Sequence, residues 1–449
     1  MSDPEYDIPD LLDDVLARAK RAGADTADAV AANSVSVSHA QRMGKMENLE
    51  RSESRDLGLR VFVGHRQAIV SSNDWTPEAL DALAERAVAM AKTVPADEFS
   101  GIADPSEILQ GAPPDVDGCD SVEPDPETLV ERARKAEGAA MAVDGVTNSE
   151  GAEADYSRWE IYLGASNGFS GCYRGSRHTV AVSVLAGEGV GMESDYDYAS
   201  TVYAEDLEDP EKLGRTAAER AVAKLKPRKG ATKAMPIVFD PRVSNGMLRH
   251  LAGAINGAAI AKGTSFLKDR MGEQVLSKGI RVVDDPHRRR GLGSKPFDAE
   301  GIANGPMALV EDGILQSWVL DLRTARKLGL KTTGHASRGT SGPPSPSTTN
   351  LTMEAGSVSP KDLMADIKEG FYVTSMMGMG VNGITGDYSR GASGFWIENG
   401  EIAYPVSEMT IAGNLKDMFL NLTPADDLAF KYSTNAPTIR IDGMTAAGM

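Results

Sequence analysis

Apolar residues recur at helical spacing near the start of the chain. Ile8, Leu11, Leu12, Val15, Leu16 and Ala19 fall on one face, which predicts an amphipathic helix over residues 8–22. The period then drops to two, and residues 26–72 read as strands: ADAVAANSVSVSHA, MENLERSES, LGLRVFV and AIVSS. Thr76 as N-cap and Pro77 at the first position open a second helix that runs to about Lys92. A connection rich in Pro, Asp and Gly follows over 95–124 and reads as solvated surface. The order then repeats. A helix is predicted over 126–143, strands through about 204, and a helix from near Pro210 to near Lys226. The two closing helices share the hexapeptide AERAVA, at 84–89 and 218–223. An internal duplication is therefore expected, with units at 1–94 and 125–228.

The stretch KPRKGATKAM at 226–235 is basic, small and glycine-containing, and a lobe boundary is placed there. The N-terminal lobe then spans 1–228 and the C-terminal lobe 229–449. The second half opens with a short strand at 236–239 and a helix over 241–261. Strands are predicted at 279–283, 307–311 and 315–321, with Asp312-Gly313 as the turn between the last two. The segment GTSGPPSPSTTN at 339–350 reads as a loop, either a binding lid or a flexible spacer. Ser359 caps a short helix over 360–369, and strands continue to the C-terminus. The fold class is α+β: an N-terminal lobe of two related helix and antiparallel-strand units, and a C-terminal lobe rich in antiparallel sheet.

Composition sharpens this picture. Gly accounts for 46 of 449 residues, which favours turns and β structure. The net charge of −18 repels phosphate backbones, so no nucleic-acid partner is expected. The one basic run, His287-Arg288-Arg289-Arg290, reads as a solvated loop. Cys119 and Cys172 are too few for a disulfide framework. The acidic start MSDPEYDIPDLLDD is not a secretion signal, and no apolar run approaches the roughly 20 residues of a membrane helix. The cytoplasm is the expected compartment, with no membrane partner.

The strongest candidate for a functional segment is GDYSRGASGFW at 386–396, followed by the hairpin turn Asn399-Gly400. It reads as a glycine-rich bend that presents Asp387, Tyr388, Ser389, Arg390 and Gly391 on a hairpin. No histidine lies near it in sequence to act as a base, so a hydrolytic role is disfavoured. Gly391 is expected to supply a backbone angle that a side chain would resist. The methionines of SMMGMG, Met376, Met377 and Met379, are suited to core filling or to adaptable peptide contact. His335, beside the long loop, is the other residue singled out. No phosphate loop or CxxC pair occurs.

GDYSRGASGFWIENGEI resembles the C-terminal signature of the TldD/PmbA family, once named modulators of DNA gyrase. GTSF at 263–266, FDAEG at 297–301, RKLGL at 326–330, the MMGMG segment and APTIRI at 436–441 fall in family order. The family's catalytic member carries an HExxxH zinc motif and a cysteine near the C-terminus. The matching window here is His250-Leu251-Ala252-Gly253-Ala254-Ile255. Leu251 stands where the general-base glutamate would be, and Ile255 where the second histidine would be. The chain therefore resembles the PmbA (TldE) branch. That resemblance implies no catalytic residue and no metal in this chain, with zinc in a TldD-like partner subunit. It further implies a shared chamber that cleaves small or unfolded peptides, in peptide-antibiotic maturation or antitoxin turnover. Asp387, Tyr388, Ser389, Arg390, Gly391 and His335 are then the peptide- or partner-binding candidates. Two other readings remain open: a homodimeric binding modulator without proteolysis, and an independent hydrolase with an unrecognised site.

Overall fold

Period-two alternation in the first half builds one six-stranded antiparallel sheet. The structure is a computed structural model that describes residues 7–448; residues 1–6, which begin the acidic N-terminal segment, and Met449 lie outside it. The first elements are α1 (Ile8–Ala22), β1 (Thr26–Arg42), β2 (Lys45–Val63), β3 (Arg66–Ser72) and α2 (Pro77–Thr93). They are followed by α3 (Pro126–Met141), β4 (Val146–Ala165), β5 (Ser170–Ala186), β6 (Glu193–Thr201) and α4 (Pro210–Ala223). The strand order is β3-β2-β1-β4-β5-β6, so two helix–three-strand–helix units meet at β1 and β4. Helices α1 and α2 cover Ala27, Ala29 and Ala31 of β1, and α3 and α4 cover Val37. These are alternate positions of one strand, so both helix pairs lie on the same face of the sheet. The segments AERAVA sit in α2 and α4, each the closing helix of its unit.

The second half runs β7 (Lys233–Phe239), α5 (Pro241–Ala254), α6 (Gly257–Lys262), β8 (Val282–Asp284), β9 (Met307–Glu311), β10 (Ile314–Leu315) and α7 (Leu322–Leu328). Next come β11 (Ala336–Ser337), β12 (Ser345–Pro346), β13 (Leu351–Met353), α8 (Pro360–Met364) and β14 (Glu369–Met377). The chain closes with β15 (Asp387–Glu398), β16 (Glu401–Asn414), α9 (Leu415–Leu420), β17 (Leu422–Pro424), β18 (Thr434–Asn435) and β19 (Ile439–Gly448). One sheet has the order β16-β15-β14-β7-β19-β17, and an extra β16–β19 pairing curls it back on itself. A five-stranded sheet, β10-β9-β8-β13-β18, lies beside it. The core between them gathers Ile237, Phe239, Leu248, Leu251, Ile255, Phe371 and Trp396. No helix among the described residues is long and apolar enough to cross a membrane.

The mixed α+β class and its antiparallel sheets stand as expected, and both turns form. Asn399 and Gly400 take φ of 51° and 84°, and Asp312 and Gly313 take 49° and 78°, the positive pair that a type I′ hairpin turn demands. Several local expectations are corrected. The helix over 241–261 is broken, because Ile255 leaves helical geometry and Asn256 recaps α6 through Ala258 N. The strand expected over 315–321 is only Ile314–Leu315, since the following residues turn to pack against α6. The short helix stops at Met364. The segment 339–350 is not a free loop: β12 pairs with β11, and Thr349 Oγ1 donates to Asp284 at 2.6 Å. The basic run is not simply solvated either. Arg290 bonds Asp117, Glu205 and Asp206 of the N-terminal lobe, and Arg288 lies over Phe430.

The two lobes meet through buried charge. Asp28 of β1 binds Arg60 of β2 and, at 2.5 Å, Arg338 of the second lobe. All three side chains are buried. Gly58 of β2 lies so close to the carbonyl of Thr340 that a Cβ there would sit 2.0 Å from its oxygen.

Candidate functional site

Strand alternation decides the fate of the GDYSRG segment. It is no bend but the first half of β15, paired with β16 from Asp387 to Glu398. Only Gly386, at the entry, has a positive φ of 88°. Successive side chains therefore point to opposite faces. Asp387 and Ser389 are exposed, whereas Tyr388 is 2% exposed and belongs to the core. The expected four-residue polar cluster is thus divided between two faces. Asp387 accepts from Thr385 Oγ1 at 2.6 Å and from Asn414 Nδ2 at 3.1 Å, bonds that hold its carboxyl below the usual range. Arg390 does not pair with it. Arg390 Nε donates to the backbone carbonyl of Met377 at 3.2 Å.

The buried face of β15 meets the helix that holds the histidine window. Asp240 caps α5 by accepting from Arg242 N, and Met247, Leu248, Leu251 and Ala254 form its buried stripe. This places His250 beside Tyr388, ring centroids 5.7 Å apart and planes at 83°, an edge-to-face contact. The Tyr388 hydroxyl donates to Met376 Sδ at 3.2 Å, a weak acceptor. Burial pushes the Tyr388 hydroxyl up to about 12 and drives the His250 pKa down, helped by Arg390 and Arg249. Burial, first of all, therefore favours the neutral imidazole of His250. The chain after β14 supplies the rim. Gly380 O accepts from Ser389 N at 2.7 Å, and Met377, Met379 and Ile384 are exposed, Met379 by 93%.

The residues around His250 do not fit a zinc ion. Leu251 is 1% exposed and Ile255 is 0% exposed, both in the hydrophobic core. Tyr388, whose hydroxyl is bonded to Met376, is the group packed against His250, and the electrostatic push of Arg390 and Arg249 disfavours a cation. Both cysteines lie in the N-terminal lobe. No three His, Cys, Asp or Glu side chains come together as a ligand set among the described residues.

His335 belongs elsewhere. It is 2% exposed, its Nδ1 lies 2.8 Å from Thr333 O, and its Nε2 lies 3.2 Å from Asp284. It is a core residue that holds 339–350 in place, out of reach of a peptide. Arg249 and Ile384 escaped sequence reasoning. A legible sign existed for Arg249: it stands immediately before the histidine of the window.

The site is thus a histidine-bearing helix, α5, laid against strand β15 of a mixed α+β chain. Comparison with known proteins gives the family of this fold. Residues 27–91, 119–225 and 232–448 match, in order, the PmbA/TldA metallopeptidase domain 1, central domain and C-terminal domain. The chain is 37% identical to metalloprotease PmbA of Escherichia coli O157:H7, over 94% of this chain and 92% of that one. It is 36% identical to the PmbA homologue of Haemophilus influenzae, over 96% and 94%. Among solved structures, TldE from Thermococcus kodakarensis superposes with a TM-score of 0.86 at 21% identity, covering 98% of this chain and 100% of that one. A Bacteroides thetaiotaomicron protein proposed as a modulator of DNA gyrase reaches 0.90 at 27% identity, covering 98% of each chain. The chain belongs to the PmbA/TldD family.

Proposed function

We propose that this chain is the non-catalytic, PmbA/TldE-type subunit of a two-chain zinc metalloprotease. One observation carries the reading: the positions of the general base and second ligand are Leu251 and Ile255, both packed in the core. Hydrolysis at zinc needs three protein ligands, an open site and a base for the attacking water. Leucine and isoleucine supply none of these. The zinc then resides in a TldD-like partner, and the two chains enclose a chamber in the cytoplasm. An unfolded or small peptide reaches a hidden metal site, while a folded protein does not. The likeness to a TldD homologue of Haemophilus influenzae covers only 53% of this chain, whereas the two PmbA likenesses given above cover 94% and 96%. The peptide is held here by strand addition, in which main-chain hydrogen bonds tolerate any sequence. The outer edge of β2 from Lys45 to about Asp56 suits this, because β3 covers only Leu57 to Val63. The test is co-expression with a TldD-like subunit. Expected are co-purification, zinc at one per pair, and cleavage of an unfolded peptide by the pair only. One tightly bound zinc on this chain alone, lost on His250→Ala, overturns the reading.

A further inference from the structure

We propose that the trough between the two helix pairs of the N-terminal lobe binds a short peptide with both ends free, its ammonium at Glu53 and its carboxylate at Arg158. The proposal rests on the reading of this chain as a subunit of a peptide-cleaving complex. It names a second ligand for that subunit, the small peptides that cleavage releases.

Strand alternation makes the trough. Ala27, Ala29 and Ala31 of β1 lie under α1 and α2, and Val37 lies under α3 and α4. Asn33 and Val35 share their face of the sheet but belong to neither apolar cluster, and both are half-buried. The sheet is therefore bare between the helix pairs, at the seam where β1 meets β4. Register sets long charged side chains on either side of these short ones. Val35 stands opposite Glu53 of β2 and Arg158 of β4, and Asn33 stands opposite Arg55 and Glu160. These six residues line a trough of about 460 Å³.

The row through Val35 suits a ligand better than the row through Asn33. In the latter, Glu160 accepts from the Tyr162 hydroxyl and pairs with Arg174 at 2.7 Å, and Arg55 lies over the Trp75 ring at 5.0 Å. In the former, Glu53 meets Arg51 at 3.1 Å in an exposed pair, a contact of little weight, and Arg158 extends beside an apolar floor. Asn33 Oδ1, next to that row, is buried and finds no donor among the described residues, so it lacks the N–H that a peptide backbone carries. Spacing then sets the ligand. Neighbouring strands are about 4.8 Å apart, so Glu53 and Arg158 stand about 10 Å apart across β1. An extended chain advances about 3.3–3.6 Å per residue. Three residues with free ends reach both groups, and a single amino acid reaches one. Glu53 accepts from the ammonium, Arg158 donates a two-pronged pair to the carboxylate, and Val35 underlies the middle side chain. A piece this short with both ends free is the form in which a peptidase releases its products.

The experiment uses the purified full chain without a zinc subunit. A tripeptide with a central leucine is titrated by calorimetry in three forms: both ends free, amino end acetylated, and carboxyl end amidated. The free form is expected to bind at least about tenfold more tightly than either blocked form, the usual weight of a hydrogen bond to a charged group. Arg158→Gln should erase the difference between free and amidated forms and keep that between free and acetylated forms. Glu53→Gln should do the reverse, and Arg158→Lys should keep part of the acid–amide difference. Thermal unfolding checks that each variant is folded, and the wild-type comparison stands without any variant. Equal affinity for the three forms, or no binding of the free form, overturns the proposal. A preference for free ends that neither Gln variant changes places the peptide elsewhere, which also overturns it. Failure of the zinc subunit to co-purify while the preference and its response to the variants persist counts against the partner reading alone. A cleaving pair whose subunit shows no preference counts against this site alone.

Discussion

Gly391 and Gly394 stand three residues apart on β15 and meet different neighbours. A Cβ on Gly394 would lie 2.0 Å from the carbonyl oxygen of Tyr372 and 3.0 Å from Thr374 N, both backbone of β14. A Cβ on Gly391 would meet Met377 Cγ at 2.6 Å, but Met377 is exposed and can swing away. Gly394→Ala should therefore cost about 2–3 kcal/mol and Gly391→Ala under about 1 kcal/mol. Chemical denaturation of the two variants checks the order, and equal costs would show that the β14–β15 spacing adapts. The sequence points to Gly391 for the wrong reason, as a backbone angle. Neither has a positive φ, so the need is close strand approach, a tertiary fact absent from local pattern. The same limit divides the Asp387–Arg390 cluster. Alternation along one strand was readable once the strand was recognised, but three glycines disguised it as a bend.

The α5 helix shows what an element's context forbids. In an unbroken helix, His250 and a residue five positions on would be about 140° apart. Here α5 ends at Ala254, and Ile255 turns into the core because Gly257 packs against Val319 and Leu320. Restoring the motif with Leu251→Glu and Ile255→His would bury a carboxyl and an imidazole among Leu248, Phe239 and Phe371. A third ligand would still be missing. The double variant should lose at least about 3 kcal/mol and bind no zinc. Elemental analysis with a melting curve decides it, and stoichiometric zinc on a stable variant would show that α5 can re-form around a metal. The helix itself was legible in the sequence, though placed over 241–261. Its break was not, since the cause lies some 60 residues downstream in a segment that looked like a strand.

At the scale of the whole molecule, the lobes are joined by charges that no local pattern reveals. Asp28, Arg60 and Arg338 come from three distant parts of the chain, and Glu300 lies 3.8 Å from Arg60 while accepting from Leu322 N at 2.9 Å. Burial pushes the Glu300 carboxyl up to about 8, against the pull of Arg60 and with the push of Asp298 and Asp321. An unfolded glutamate titrates near about 4.3. The folded state therefore holds a proton that the unfolded state has released between those values. The stability from this group is full below about pH 4.3 and is lost as pH rises through about 8. Glu300→Gln keeps a neutral, hydrogen-bonding side chain of the same shape and removes the titration. The melting temperature of the wild type should fall more steeply than that of Glu300→Gln between about pH 5 and pH 9. Parallel curves would mean that Arg60 and Arg338 keep Glu300 ionised throughout. The lobe contact would then be a balanced quartet of two arginines and two carboxylates, insensitive to pH in this range.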